Sequence, residues 1–266
     1  MRCRGVAVLE LTDVTVQFGG LTAVKDCTFR VDNRGITCLV GPNGAGKTTI
    51  FNAITGFVKP TRGSIKLNGI ELVGKSPEKI SRLGIGRTFQ NVRLFHEFTV
   101  LQNVLAYMPN LYGQRVFESL LFPKKVRKEI DVAKEKALHL LEQVGLNGKE
   151  HVLAANLPYG DQKLLIIARV LAMEPEVIML DEPTSGLDHQ SFEKVVQVIR
   201  NLAKNESKTI LLIEHNMDTV RKLADRVLFL EQGTVIGDGT AEEIMADPRL
   251  TDLYFGITRG EKHVAT

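Results

Sequence analysis

The sequence predicts an α/β fold: a mainly parallel sheet accompanied by an antiparallel β subdomain and a helical insertion subdomain. Three observations carry this expectation. Ile36–Val40, Val177–Leu180 and Thr209–Ile213 are short apolar runs of the kind that form buried strands. A helical stretch opens at Lys47 after the first run, and another spans about Ser191 to Ala203 between the second and third. Strand, helix, strand in that order packs as parallel strands joined by right-handed crossovers.

The remaining elements follow in order. Residues 8–18 (VLELTDVTVQF) and 25–32 predict strands separated by the turn at Gly19-Gly20, and Gly63 to Leu72 predicts another hairpin strand. A glycine-rich turn leads from Val40 into the helix at Lys47. Between about 91 and 170 the pattern turns helical, most clearly over 128–145, where Ala133, Ala137, Leu140, Leu141 and Val144 recur at helical spacing. The expected organisation is one domain over 1–266. Its core and β subdomain occupy 1–90 and 166–266, and its helical subdomain occupies 91–165. No internal repeat or low-complexity linker interrupts it.

Composition bounds the function. A chain of 266 residues can bury a large core, and 44% hydrophobic with 24% charged residues is ordinary for a globular protein. A net charge of +3 is too slight to point to a nucleic-acid partner. The basic run Lys124, Lys125, Arg127, Lys128 is soon interleaved with acids and reads as a solvated helix face. Cys3, Cys27 and Cys38 are odd in number and lack CxxC spacing, as expected of reduced cytosolic thiols. Phe98 to Gln114 is uncharged, but Gln102, Asn103, Pro109 and Asn110 interrupt it, so it cannot comfortably span a bilayer. The apolar run after Met1-Arg2-Cys3-Arg4 is too short for a secretion signal. No segment is expected to enter a membrane unaided.

The chemistry begins at Gly41-Pro42-Asn43-Gly44-Ala45-Gly46-Lys47-Thr48, which fits GxxxxGK[ST]. Glycines let successive backbone N–H groups turn inward around phosphates, and the following helix presents its positive end to them. Lys47 offers a mobile point charge for β- and γ-phosphates, and the Thr48 hydroxyl can ligate Mg²⁺. A chain of average composition matches this pattern by accident roughly once in a hundred. The match also follows a strand and opens a helix, which specifies a P-loop NTPase core. Downstream, Val177-Ile178-Met179-Leu180 delivers Asp181 and Glu182 to the end of a strand, where open sheets bind ligands. Two acids there would alone read as the start of a solvated loop. Below a phosphate loop they read as a pair with separate tasks, Asp181 holding Mg²⁺ and Glu182 polarising the attacking water.

The phosphate loop, Gln90 after a short strand, Leu157-Pro158-Tyr159-Gly160-Asp161-Gln162, Asp181-Glu182-Pro183, Ser185-Gly186-Leu187-Asp188 and His215 stand in the order seen in ABC transporter ATPases. The chain resembles that family over essentially its whole length. The resemblance implies that Gln90 ligates Mg²⁺ and couples the site to a membrane partner, and that His215 contacts the γ-phosphate. It implies that Phe18 stacks on adenine, the plainer reading being a core-facing strand aromatic. Thr49 completes the nucleotide contacts of the loop. The implied catalytic group is Glu182, His215, Gln90 and Lys47, with ATP and Mg²⁺ as cofactors.

Two subunits facing head to tail are implied, each ATP lying between one chain's phosphate loop and the other's Tyr159, Gly160 and Asp161. The second ATPase could be an identical or a related chain. Further implied partners are transmembrane permease subunits and, indirectly, a periplasmic or extracellular solute-binding protein, with the ATPase on the inner face of the membrane. Leu94, Phe95, Phe98, Val100 and Leu101 are either a dock for a permease helix or ordinary packing of the helical insertion. The segments 18–24, 86–91, 157–160 and 214–217, the insertion between about 108 and 130, and Tyr254-Phe255-Gly256 are similar to the branched-chain amino-acid importers. Ser185-Gly186-Leu187-Asp188 departs from that subfamily toward the general ABC pattern. Lipopolysaccharide-export and urea-import ATPases are the neighbouring alternatives. A soluble ATPase of chromosome maintenance would need long coiled coils that the sequence lacks.

Overall fold

Alternating apolar residues make β1 (Ala7–Phe18) and β2 (Leu21–Asp32) an antiparallel pair that turns at Gly19-Gly20. The computed structural model describes residues 7–88, 94–109 and 123–261. Its chain divides into two compact units. The first is Met1–Ile85 with Glu176–Glu182 and Ile199–Thr266; the second is Gly86–Pro175 with Pro183–Val198. Gln90 and residues 110–122 of the insertion lie outside the described residues.

In the first unit, β1 and β2 join β4 (Arg62–Leu67) and β5 (Ile70–Glu71) in a four-stranded antiparallel sheet ordered β2-β1-β4-β5. Asn68 and Gly69 both take positive φ between β4 and β5, the geometry that matches a two-residue turn to strand twist. The short helix α2 (Pro77–Arg82) starts at Ser76, whose hydroxyl accepts from the Lys79 amide.

The second sheet is mainly parallel and six-stranded, ordered β10-β9-β3-β8-β7-β6. β3 (Gly35–Val40) lies between β8 (Thr209–Ile213) and β9 (Arg226–Glu231), parallel to both. β7 (Val177–Asp181) is parallel to β8, and β6 (Ile85–Arg87) is the edge strand where the chain leaves for the second unit. β10 (Thr234–Gly239) returns antiparallel to β9 through Gln232 and Gly233, again both at positive φ. The β9–β10 hairpin was not anticipated from the sequence, although Val227–Leu230 is an apolar run ending at a Gln-Gly turn. It supplies a neighbour of the central strand.

Helix α1 (Lys47–Ile54) sets Ile50, Phe51 and Ile54 into one apolar cluster with Leu39, Met179, Leu211 and Leu228 of the parallel sheet and Val14, Val16 and Ile65 of the antiparallel one. Each such side chain taken out of water contributes about 1.5–3 kcal/mol, so the helix carrying the phosphate loop is held by packing rather than by propensity. Cys27 and Cys38 are buried free thiols, and burial raises both, Cys27 to about 12.

The second unit contains α3 (Val100–Leu105), α4 (Pro123–Gln143), a 3₁₀ turn at Ala154–Asn156 and α5 (Tyr159–Leu171). Thr99 and Gln102 form a capping box that starts α3, exchanging side-chain and backbone bonds at 3.2 and 2.8 Å. Asn103, one of the polar interruptions in the uncharged stretch, is fully buried; its amide ties the Phe95 and Thr99 carbonyls together at 3.0 and 3.1 Å. Helix α6 (His189–Lys204) opens in the second unit, and the chain returns to the first within it. Helices α7 (Met217–Leu223), α8 (Ala241–Ala246) and α9 (Pro248–Glu261) complete the first unit. Among the described residues no helix is long and apolar enough to cross a membrane.

Candidate functional site

Parallel register explains why the candidate residues of the first unit converge. Leu39 on β3 and Asp181 on β7 both align with Ile213 on β8. The phosphate loop, Glu182 and His215 therefore begin within two residues of one line across the sheet, all at its carboxyl edge.

Backbone sterics shape the loop. Gly41 (φ 147°) has no room for a Cβ, which would strike the Leu230 carbonyl oxygen. Gly46 (φ 100°) precedes α1, and a Cβ there would meet the Ala23 carbonyl oxygen at 2.6 Å. The Gly233 amide donates to the Ala45 carbonyl at 2.9 Å, so the β9–β10 turn braces the loop from outside. Gly233 was not among the residues expected from sequence. Pro42 is half-buried, Ala45 is buried, and Asn43 and Gly44 are exposed at the crown.

Lys47 is buried at the start of α1 and its ammonium crosses the loop, donating to the Gly41 carbonyl at 2.7 Å and the Pro42 carbonyl at 2.9 Å. Burial holds this ammonium below its usual range, while the nearby Glu182 and Asp181 carboxylates oppose the shift. Among the described residues these bonds engage two of its three donors. Thr48 is exposed and Thr49 half-buried on the first turn of the same helix.

Asp181 is buried as the last residue of β7. Glu182 follows in the left-handed region (φ 46°), uncommon for a side chain larger than asparagine, and its amide donates to the Ile213 carbonyl at 3.0 Å. That bend brings its carboxylate to 3.4 Å from His215 Nδ1. His215 stands just before α7, whose cap Asn216 accepts from the Asp218 and Thr219 amides at 2.9 and 3.2 Å. The cap fixes the turn that carries the imidazole. Phe18 lies at the tip of the β1–β2 hairpin and is 50% exposed, which disfavours the core-facing reading.

The second unit holds the other candidates. Tyr159, Gly160 and Asp161 form the first turn of α5, whose cap residue Pro158 makes no side-chain cap bond. Gly160 packs against Ser191; a Cβ would collide with its hydroxyl. Ser191 is held by Asp188, which accepts from its amide at 3.0 Å and its hydroxyl at 2.6 Å; these bonds hold the Asp188 carboxyl below its usual range. Tyr159 is exposed, with the Lys163 ammonium 5.5 Å from its ring centre. Asp161 is ion-paired with Lys149 and turned inward. No spacing signal in the chain points to that pairing. In the apolar stretch read as a dock or as packing, Leu94, Val100 and Leu101 are buried, whereas Phe95 and Phe98 are exposed with ring centres 5.3 Å apart.

Among the described residues no cluster of three His, Cys, Asp or Glu groups could hold a metal by itself. Thr48 and Asp181 are instead hard oxygen donors of the kind that share Mg²⁺ with water and phosphate. Gln90, the third metal candidate, lies outside the described residues.

Residues 24–185 match the family model described as ABC transporter. The chain is 41% identical over 249 residues to the high-affinity branched-chain amino acid transport ATP-binding protein LivG of Salmonella typhimurium, covering 94% of this chain and 98% of LivG. It is similar in structure to the ADP conformation of an ATP-binding cassette of an ABC transporter, with a TM-score of 0.82 and 30% identity over 94% of this chain and 99% of the other. A dimeric bacterial ABC transporter cassette matches with a TM-score of 0.72 and 25% identity over 88% of this chain and 98% of the other.

Proposed function

The chain belongs to the ABC transporter family of ATP-hydrolysing subunits, and from that premise we propose that it energises branched-chain amino-acid import, binding MgATP between two ATPase subunits. The observation that carries the chemistry is the meeting of Glu182 and His215, 3.4 Å apart on adjacent strand ends, beside the loop that holds Lys47.

The roles follow from position. Loop amides and the start of α1 bind the phosphates, and Lys47 exchanges its carbonyl bonds for β- and γ-phosphate oxygens. Thr48 and Asp181, with Gln90, would hold Mg²⁺, which when bound neutralises phosphate oxygens and orients the triphosphate. Glu182 accepts a proton from the attacking water as its oxygen bonds to the γ-phosphorus and the bond to the β–γ bridging oxygen breaks, releasing ADP. His215, 3.4 Å from that carboxylate, orients it and would contact the γ-phosphate, the role the family resemblance implies. The exposed face of Phe18 serves adenine by stacking.

The second ATPase subunit, identical or related, would contribute its own Tyr159, Gly160 and Asp161 turn to each site. The exposed Phe95 and Phe98 are the part of the apolar stretch suited to a permease helix on the inner face of the membrane. The solute assignment rests on likeness to LivG and on the subfamily segments; a periplasmic or extracellular solute-binding protein is the implied upstream partner. The test is Glu182→Gln. Turnover should fall roughly 10²–10⁴-fold, the usual contribution of a positioned base, with ATP binding retained. Near-normal hydrolysis would remove Glu182 from the base role.

A further inference from the structure

We propose that Lys149 is a positioning residue for the shared ATP site: by pairing with Asp161 it keeps the first turn of α5 electrically fit to receive the other subunit's triphosphate. The proposal rests on the reading that this turn faces ATP across the dimer.

Asp161 is the third residue of α5, and its carboxylate is the acidic group of that first turn. Alone it would favour its own helix while opposing an incoming anion, because the helix end acts over about one turn. The structure turns the carboxylate inward, 11% exposed, onto the Lys149 ammonium. Lys149 comes from outside the helix, from the turn that follows α4. Its amide donates to the Leu146 carbonyl at 3.2 Å, and the neighbouring Gly148 amide donates to the Glu150 carboxylate at 2.7 Å. The Leu101 amide of α3 donates to the Glu150 carbonyl at 3.0 Å, so the turn is tied down on a second side. Lys149 itself stays 40% exposed, which leaves it replaceable without opening the core. Together the pair presents no net charge where a lone carboxylate would present one. Pro158, the cap, makes no side-chain cap bond and adds no charge. The charge at this turn is thus set by a residue twelve positions upstream.

The experiment measures ATP-driven dimerisation of the full chain by analytical ultracentrifugation in the Glu182→Gln background, at matched ATP and low salt. Lys149→Gln should weaken dimerisation about tenfold, the scale of one charge at a partly buried helix end, and Lys149→Arg should restore it. Asp161→Gln should strengthen dimerisation, because it leaves the ammonium unopposed. The double variant should return close to the starting protein. Opposite signs for the two single changes mark an electrostatic role. Losses of the same sign, unrepaired in the double variant, would show a mere structural tether and overturn the proposal. Should Lys149→Gln fail to fold, Asp161→Gln must still exceed the double variant, and equality would overturn the proposal. If the starting protein forms no ATP-dependent dimer, the shared-site reading falls and the proposal with it. If it dimerises while Lys149→Gln matches it, the proposal alone falls.

Discussion

The phosphate loop of the first unit and the α5 turn of the second both lead into a helix start, yet they are built by different means. The loop is a backbone construction. Gly41 and Gly46 are pressed against the Leu230 and Ala23 carbonyls, and the Lys47 ammonium donates to the loop's own carbonyls. The α5 turn is a side-chain construction, in which Lys149 pairs with Asp161 while Asp188 holds Ser191 against Gly160. Contacts made by backbone atoms leave no smaller or larger alternative, so substitutions there act through sterics. Contacts made by side chains can be retuned one charge or one hydroxyl at a time.

The sharpest way to break this contrast is Gly46→Ala. The new methyl would meet the Ala23 carbonyl in a left-handed conformation, and the strain alone is roughly 1–3 kcal/mol. Nucleotide binding should be lost in a fluorescence titration, and thermal denaturation should show a lower Tm. A variant that binds nucleotide normally would mean the loop has room that its packing denies.

Lys47→Ala separates charge from shape within the same loop. ATP binding should fall by one to two decades, roughly the value of a charged hydrogen bond, while the Tm without nucleotide changes little. The sign of its pH dependence is defined. The folded ammonium titrates below its usual range because of burial, so it deprotonates in the folded chain before it would in the unfolded one. Between those two points the unfolded chain binds more protons, and this group's contribution to stability rises with pH. ATP binding should decline over the same alkaline window as the charge is lost. Isothermal titration at rising pH checks the binding, and chemical denaturation checks the stability.

Asp188→Ala probes the side-chain construction and should have the smallest effect. Its carboxylate caps α6 through the Gln190 and Ser191 amides, each at 3.0 Å. Loss of such a cap typically costs about 1 kcal/mol, read as a shift in denaturant midpoint. Hydrolysis should fall more than stability does, because Ser191 loses the partner that aims it at Gly160. An equal fall in both would place Asp188 in helix capping only.

Much of the first unit was legible in the sequence because its signals are contiguous. The glycine spacing of Gly41, Gly44 and Gly46 before Lys47 is local, and so is the apolar run that delivers Asp181 and Glu182 to a strand end. Steric rules and strand periodicity act over a few residues, so these features determined the strands β3, β7 and β8, the loop and the acidic pair without any tertiary information. The tertiary structure decided the rest. It put β9 beside β3, Gly233 behind the loop, Ser191 against Gly160 and Lys149 against Asp161. Those partners lie from twelve to nearly two hundred residues apart in the chain. No periodicity links them; only the closing of the sheet and the packing of helices bring them within reach.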